Sequence, residues 1–280
     1  MVRRRGRQNR TDVRRQATES GHLPSPFRCW RCGKPLILTA GGLDCTNGDA
    51  RHRPRNGVLD LLPPGEDPPP DVFDTWYGSL YDAGVNRRRL AVPGGFLLWG
   101  ADIASVLRLM AGAIACLRGE IVLDAPTGGG ITFARGAPAT QGLLIGVDLS
   151  RPMLERAVQR RRAAGLRPER VLLARADATR LPLLDASVDR VACFNSLHCI
   201  PNQRALLEEF RRVLKPGGEL VGTTLVEDAP LPWRLNVEVA RLAGFFIPPD
   251  SGRLRRLARA AGFRRWSTEQ SGALLSFHGE

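Results

Sequence analysis

Two acids and three glycines carry the first chemical signal in this chain. An apolar run, Ile121-Val122-Leu123, ends on Asp124, and Gly128-Gly129-Gly130 follow. A second apolar run, Leu143 to Val147, ends on Asp148. Glycines let a backbone approach a ligand that any Cβ would block. A carboxylate can accept from two hydroxyls at once, which suits the diol of a ribose. The two acids lie 24 positions apart. That is near the roughly 20 expected of a strand–loop–helix–strand nucleotide unit.

A second group of chemically competent side chains lies upstream. Cys29-x2-Cys32 is followed after 12 residues by Cys45 and after six more by His52. Two thiolates two residues apart can grip one face of a tetrahedral zinc, with the other pair arriving from a second hairpin. Gly41-Gly42 marks the turn, and Asp49 rivals His52 as fourth ligand. The stretch 27–63 is too short to enclose a core, so one structural zinc would stabilise it. The alternative is a metal-free hairpin with free thiols.

The elements that must position these residues alternate in type. After Asp148, Ser150 is suited to cap a helix that begins Arg151-Pro152 and runs to Gly165. Val171–Ala174 reads as a third strand, ending at Asp177, and Arg190–Asn195 as a fourth. A helix over 202–214 stops at Lys215-Pro216-Gly217-Gly218, and Glu219–Val226 forms a fifth strand. Ala101–Leu117 has helical apolar spacing. Beyond a helix at 251–261, two short runs around Ser271-Gly272 read as an antiparallel hairpin. Alternating strands and helices with short connections imply α/β architecture, a doubly wound parallel sheet covered on both faces.

The flanking segments differ in composition. Residues 1–26 are arginine-rich with no apolar period, and read as a disordered basic arm. Such an arm could bind RNA, be a solvated tail, or reflect a misplaced start. Residues 27–63 form the small cysteine module, 64–71 a proline-rich linker, and 72–280 the main domain. Trp76, Tyr77, Tyr81 and Trp99 mark a segment that docks on that domain. Formal net charge is +13, with nearly all the basic residues arginine. The charge points to nucleic acid or an anionic membrane, but an arginine skew also follows from genome composition. No apolar run reaches 18 residues, and the N-terminus has no hydrophobic signal core, so a cytoplasmic location is expected. Cysteines there read as thiols or metal ligands rather than disulfides.

The loop is not a P-loop, since no Gly-Lys-Ser/Thr follows, and Phe133 stands where a dinucleotide fingerprint needs its last glycine. Asp-x-x-x-Gly-x-Gly resembles motif I of the class I S-adenosylmethionine-dependent methyltransferases, with Pro126 where the usual pattern has glycine. DAPTGGG, GVDLS, Asp177, LPLLDASVDRV and LKPGGEL resemble the type 11 group of that family in order and spacing. The resemblance implies a mostly parallel seven-stranded sheet. Residues 27–63, with their Gly57…Leu61-Leu62-Pro63 exit, resemble the zinc-ribbon-like N-terminal segment of ribosomal-RNA guanine methyltransferases, with a longer Cys45–His52 spacing.

The resemblance also implies roles. Asp124, Ala125, Gly128 and Gly130 would hold the methionine end of S-adenosylmethionine. Asp148 would accept from the ribose hydroxyls with Leu149 beside the adenine, and Asp177 and Ala178 would meet the adenine edge. Asn195 would open towards the methyl group. His198 is the one histidine placed by sequence to serve as a base, the alternative being a packed histidine. Cys193 reads as core. The segment CFNSLH lacks the motif of exocyclic-amine methylation, and no Pro-Cys pair suggests covalent attack on cytosine. Trp233, Phe245 and Phe246 fall where related enzymes cap their substrate, and their apolar character favours a small organic or lipid-like acceptor. RNA is the second reading and a non-catalytic cofactor-binding regulator the third.

Overall fold

The computed structural model describes residues 23–39, 41–68, 72–75, 78, 82–84, 87–133, 141–244 and 247–280. The expectations for the arm up to residue 22, for Trp76, Tyr77 and Tyr81, and for Phe245 and Phe246 lie outside these residues. The N-terminal unit contains strands β1 (Leu23–Arg28), β2 (Pro35–Thr39), β3 (Gly42–Cys45), β4 (Arg51–His52) and β5 (Leu59–Asp60). The first four make an antiparallel sheet in chain order.

The main sheet has the order β11-β12-β10-β9-β6-β7-β8-β5. Its strands are β6 (Ile121–Asp124), β7 (Leu143–Asp148), β8 (Val171–Arg175), β9 (Val188–Phe194), β10 (Leu214–Leu225), β11 (Trp266–Ser271) and β12 (Leu274–Gly279), joined by β5. Strands β5 to β10 run parallel, and β12 and β11 close the sheet antiparallel. Strands β6–β12 are the seven that the sequence implies. The eighth, β5, comes from the cysteine unit and pairs Leu59 with Ala174 and Asp60 with Arg175. The register of β10 against β9 is irregular between Leu214 and Glu219, where Lys215-Pro216-Gly217-Gly218 interrupts the ladder.

Helices α1 (Arg88–Trp99), α2 (Ile103–Ile114), α3 (Arg151–Ala163), α4 (Gln203–Val213), α5 (Trp233–Leu242) and α6 (Ser251–Ala260) complete the described elements. Their starts follow local chemistry. Asp102, Ser150, Asn202 and Asp250 each accept an N–H of the first turn of α2, α3, α4 and α6. Successive strand residues point to opposite faces, so neighbours divide between two cores. Leu123, Ile145 and Val147 pack with Leu206 and Phe210 of α4 and Leu254 of α6. Val122 and Leu144 pack with Met110 and Ile114 of α2, Leu154 of α3 and Val237 of α5.

One face has an unusual cover. The connection from β8 to β9, residues 176–187, contains no helix. The cysteine unit occupies that place: Phe27, Leu36, Leu43, Leu59 and Leu61 are continuous with the core of Leu181, Leu183 and Val191. Backbone bonds run from Arg28 N–H to the Pro182 carbonyl at 3.0 Å and from Leu184 N–H to the Pro26 carbonyl at 2.7 Å. The following segment is held by ion pairs, Glu66 with Arg180 and Asp67 with Arg175. The unit is thus docked through shared apolar surface rather than hung on a free linker.

Phe27 is fully buried at this junction. Phe27→Ala should destabilise the whole chain by about 3–5 kcal/mol, the cost of an aromatic cavity in a packed core. Urea unfolding followed by tryptophan fluorescence measures it. A loss below about 1 kcal/mol would show that the unit folds apart from the sheet.

Candidate active site

The acids that end β6 and β7 meet at the carboxyl edge of the sheet, where ligands of open α/β sheets bind. Gly128 takes a left-handed conformation, φ 52°, and donates its N–H to Asp148 Oδ2 at 2.7 Å. The N–H of Ser150 donates to the other oxygen, Oδ1, at 2.9 Å. Each oxygen has further lone pairs on a carboxylate of fixed orientation, the geometry a ribose diol requires. Gly129 lies under the Arg160–Asp82 pair, whose terminal atoms occupy the space that a Cβ there would take.

Asp124 sits behind this loop. It is buried, and its Oδ2 accepts the hydroxyls of Thr127 and Thr132, both at 2.7 Å. Burial pushes its carboxyl up to about 6, against the two threonine hydrogen bonds, and the charge of Asp148 adds to the rise.

A cavity of about 500 Å³ opens in front of the loop. One wall is polar and carries Thr127, Gly128, Gly129, Asp148, Leu149, Asp177, Ala178 and Asn195. The other is apolar: Phe73, Trp99, Ile103, Val106, Leu107, Met110, Leu225 and Leu274. Of the residues expected from sequence, Gly128, Asp148, Leu149, Asp177, Ala178, Asn195 and His198 are brought together on this cavity. Asp124, Ala125 and Gly130 are not on its wall. The two threonines hold the Asp124 carboxylate behind the loop, which it shapes from there. Asp177 Oδ1 accepts from the N–H and hydroxyl of Thr179, at 2.8 and 2.7 Å. Asn195 ends β9 in the left-handed region, φ 51°, which asparagine tolerates better than most side chains. Its Oδ1 accepts from the Thr223 hydroxyl at 3.0 Å.

His198 lines the cavity, but its chemistry is not that of a base. Its Nδ1 accepts the N–H of Leu225 at 3.1 Å, which places the ring proton on Nε2. Burial pulls its pKa down to about 3, so the ring stays neutral at physiological pH. Of the two sequence readings, a base and a packed histidine, the geometry fits the packed one. Cys193 is core, as its strand position implies, and burial pushes its thiol up.

Two side-chain contacts escaped sequence reasoning. Arg160 of α3 reaches back to pair with Asp82 through both terminal nitrogens, and its Nη1 also donates to the Gly129 carbonyl. Ser150 donates its hydroxyl to Asp74 at 2.5 Å. Both links clamp the segment before α1 over the glycine loop. No local spacing signals a pair so far apart in sequence; the one available hint is a third consecutive glycine.

In the cysteine unit, the Sγ atoms of Cys29, Cys32 and Cys45 all lie within 4.8 Å of one another. Cys32 and Cys45 are 3.4 Å apart, and Asp49, the rival fourth ligand, is not in this group. His52 is not in this group. Its Nδ1 lies 3.1 Å from the Asp60 carbonyl because β4 pairs His52 with Leu43, a position that faces the core. The fourth ligand expected from sequence is therefore corrected.

The raised Asp124 carboxyl makes stability depend on pH. Between its unfolded value near 4 and its folded value of about 6, the native state binds the extra proton. The cost of burying the charge is absent below pH 4 and complete above pH 6, so stability from this group falls as pH rises through that window. Asp124→Asn keeps an acceptor for both threonines and removes the charge. It should flatten the pH 4–6 dependence and raise stability at pH 7 by about 1–3 kcal/mol. Thermal melts at stepped pH check this, and an unchanged slope would contradict it.

Comparison with known proteins agrees with this geometry. A family described as a methyltransferase domain matches residues 122–218, from β6 to the turn before the regular part of β10. An uncharacterised chloroplast methyltransferase of Arabidopsis thaliana is 32% identical over 166 residues, 56% of this chain and 46% of that one. The 27-O-demethylrifamycin SV methyltransferase of Amycolatopsis mediterranei is 34% identical over 136 residues, 48% of this chain and 50% of that one. The chain thus spans about half the length of the curated relatives it matches. Among solved structures, a Haloferax volcanii methyltransferase in complex with its Trm112 activator superposes with a TM-score of 0.57 at 18% identity. That superposition covers 76% of this chain and 98% of the other, a likeness of fold. With motif I on the loop after β6, an acid at the end of β7 and the seven-stranded sheet behind them, the chain carries a class I S-adenosylmethionine-dependent methyltransferase domain.

Proposed function

We propose that this chain transfers the methyl group of S-adenosylmethionine to a small, largely apolar organic acceptor. The observation that carries this reading is the two-walled cavity. Its polar wall suits a nucleoside, with Asp148 for the ribose and Leu149, Asp177 and Ala178 around the adenine. Its apolar wall, Trp99 to Met110 with Phe73, suits an organic ring or chain rather than a phosphate backbone. The rifamycin-precursor relative acts on an organic small molecule, as its name states, and this supports the reading.

The sulfonium supplies an activated methyl group, so the protein's part is alignment and exclusion of water. Gly128 and Asp148 fix the cofactor's position, and the Arg160–Asp82 clamp holds the covering segment against the loop. His198, neutral and anchored by Leu225, orients rather than deprotonates. This favours an acceptor that is already nucleophilic near neutral pH.

Calorimetry with S-adenosylhomocysteine tests the cofactor half. Asp148→Ala should weaken binding about 10- to 100-fold, the loss of one or two hydrogen bonds to a charged acceptor. Labelled methyl offered to fractionated cell extract tests the acceptor half. Label in the organic phase is expected; label in RNA would replace the acceptor class, and the arginine arm would then become the natural docking element.

We further propose that Cys29, Cys32 and Cys45 hold one structural zinc. Sulfurs bound to one tetrahedral zinc at about 2.3 Å lie just under 4 Å apart, which the observed cluster accommodates. Elemental analysis of protein purified without chelator should find about one zinc per chain, reduced to under about a tenth in Cys45→Ser and retained in His52→Ala. Equal loss in the His52 variant would restore the histidine as ligand.

A further inference from the structure

Helix α5 carries two apolar stripes where a surface helix needs one. Trp233, Val237 and Ala240, spaced i, i+4, i+7, pack into the core. Leu235, Val239 and Leu242 repeat the spacing two residues on, about 200° around the helix, and face outward. Val239 is 67% exposed and Leu242 72%. The adjacent end of α1 adds Phe96, Leu97 and Leu98, with Leu97 76% exposed. The two helices are fastened together. Asn236 Nδ2 donates to the Leu98 carbonyl at 2.7 Å, and Gly100 lies against the ring of Trp233. Their outer sides therefore form one ridge, larger than the scattered apolar residues of an ordinary surface.

Two features identify what covers it. The first is charge. Helix α1 with the residue before it and helix α5, residues 87–99 and 233–242, hold five arginines against one acid, Glu238. Glu238 pairs with Arg241, which leaves an excess of four arginines, 87, 88, 89 and 234. An apolar ridge on helices with an excess of arginine matches an anionic lipid surface, apolar below and negative above. The second is position. Leu98, Ala91 and Gly94 of α1 belong to both the ridge helix and the cavity lining, so the ridge stands at the mouth of the apolar wall.

We infer that α1 and α5 form a docking face for an anionic membrane, and that the acceptor enters the cavity from the lipid side. The second half rests on the apolar-acceptor reading above; the first does not. The face lies on a membrane and does not cross it. No single described helix is long and apolar enough to span, and α1 turns from α2 by 114°. Helix α2 is spent on the core, with Val106, Met110, Ala113 and Ile114 buried. Docking leaves α1 and α5 in the interfacial plane, with arginines at headgroup level.

The test is co-sedimentation of the full chain, without cofactor or acceptor, with phosphatidylcholine vesicles containing or lacking phosphatidylglycerol. Binding to the anionic vesicles is expected, weakened about tenfold in Leu97→Ser/Leu242→Ser. Those substitutions leave every charge in place, including the basic arm, so the loss reports the apolar ridge. Leu235→Ser/Val239→Ser provides a second pair of exposed positions should the first fail to fold, and melting curves with S-adenosylhomocysteine affinity verify both. Wild-type protein that ignores anionic vesicles, or folded variants that bind them as wild type does, would overturn the proposal. So would light scattering that finds a dimer dissociated by the same substitutions, because a second copy would then be the cover. Failure of the apolar-acceptor reading would register separately, as methyl label absent from the organic phase while vesicle binding persists.

Discussion

The carboxylate of Asp148 takes one amide proton on each oxygen, from Gly128 on one side and Ser150 on the other. These two bonds tie the end of β7 to the glycine loop after β6 and to the start of α3. From there the constraint spreads. Ser150 caps α3 and holds Asp74, while Arg160, further along α3, grips both Asp82 and the carbonyl of Gly129. Strand, loop, helix and covering segment form a closed circuit around the cavity. Hydrogen bonds to a charged acceptor are stronger than neutral ones. A carboxylate already oriented by two of them binds a diol with little further ordering, which is the meaning of preorganisation here.

The opposite side of the cofactor wall is braced from the N-terminal unit. Arg175, paired with Asp148 in the β7–β8 register, donates from Nε to the Leu149 carbonyl at 3.0 Å. Its guanidinium is held by Asp67 of the proline-rich stretch, with Asp60 of β5 3.6 Å away. A buried guanidinium needs such partners, because an unpaired charge in the interior is costly. The unit that substitutes for the missing helix after β8 therefore reaches the residue expected beside the adenine. The spacing of cysteines and prolines suggests an independent module. The structure reports an integrated one, because Phe27, Leu59 and Leu61 have no core except the one they share.

Much of this architecture was legible in the chain. The apolar runs ending on Asp124, Asp148 and Arg175 are buried on both faces, so each reads as a continuous hydrophobic strand. Ser150-Arg151-Pro152 announces a helix start, and Ser271-Gly272 a hairpin. What was hidden depends on distance or on broken local signals. Helix α1 contains Pro93-Gly94-Gly95, which ordinarily argue against a helix, and tertiary packing overrides them. Arg160–Asp82 joins residues that no period relates. His198 stands where a base was expected, yet the backbone N–H of Leu225 decides its tautomer, and a backbone bond leaves no trace in residue types. His52 has the right spacing for a ligand and the wrong register, since pairing with Leu43 sets its direction.

The docked N-terminal unit also has a meaning in the time order of synthesis. It is made before its partners, Pro182, Leu183 and Leu184 and the strand at 171–175, which emerge more than 100 residues later. Until then Phe27, Leu36, Leu43, Leu59 and Leu61 have nothing to pack against. Contacts so distant in sequence form slowly, and unburied apolar surface in the interval is what chaperones recognise. The nascent chain must keep this segment soluble and uncommitted while the central strands are still being built. The sheet then accepts that segment on its open face, and β5 covers the edge that β8 would otherwise leave exposed to a neighbouring chain.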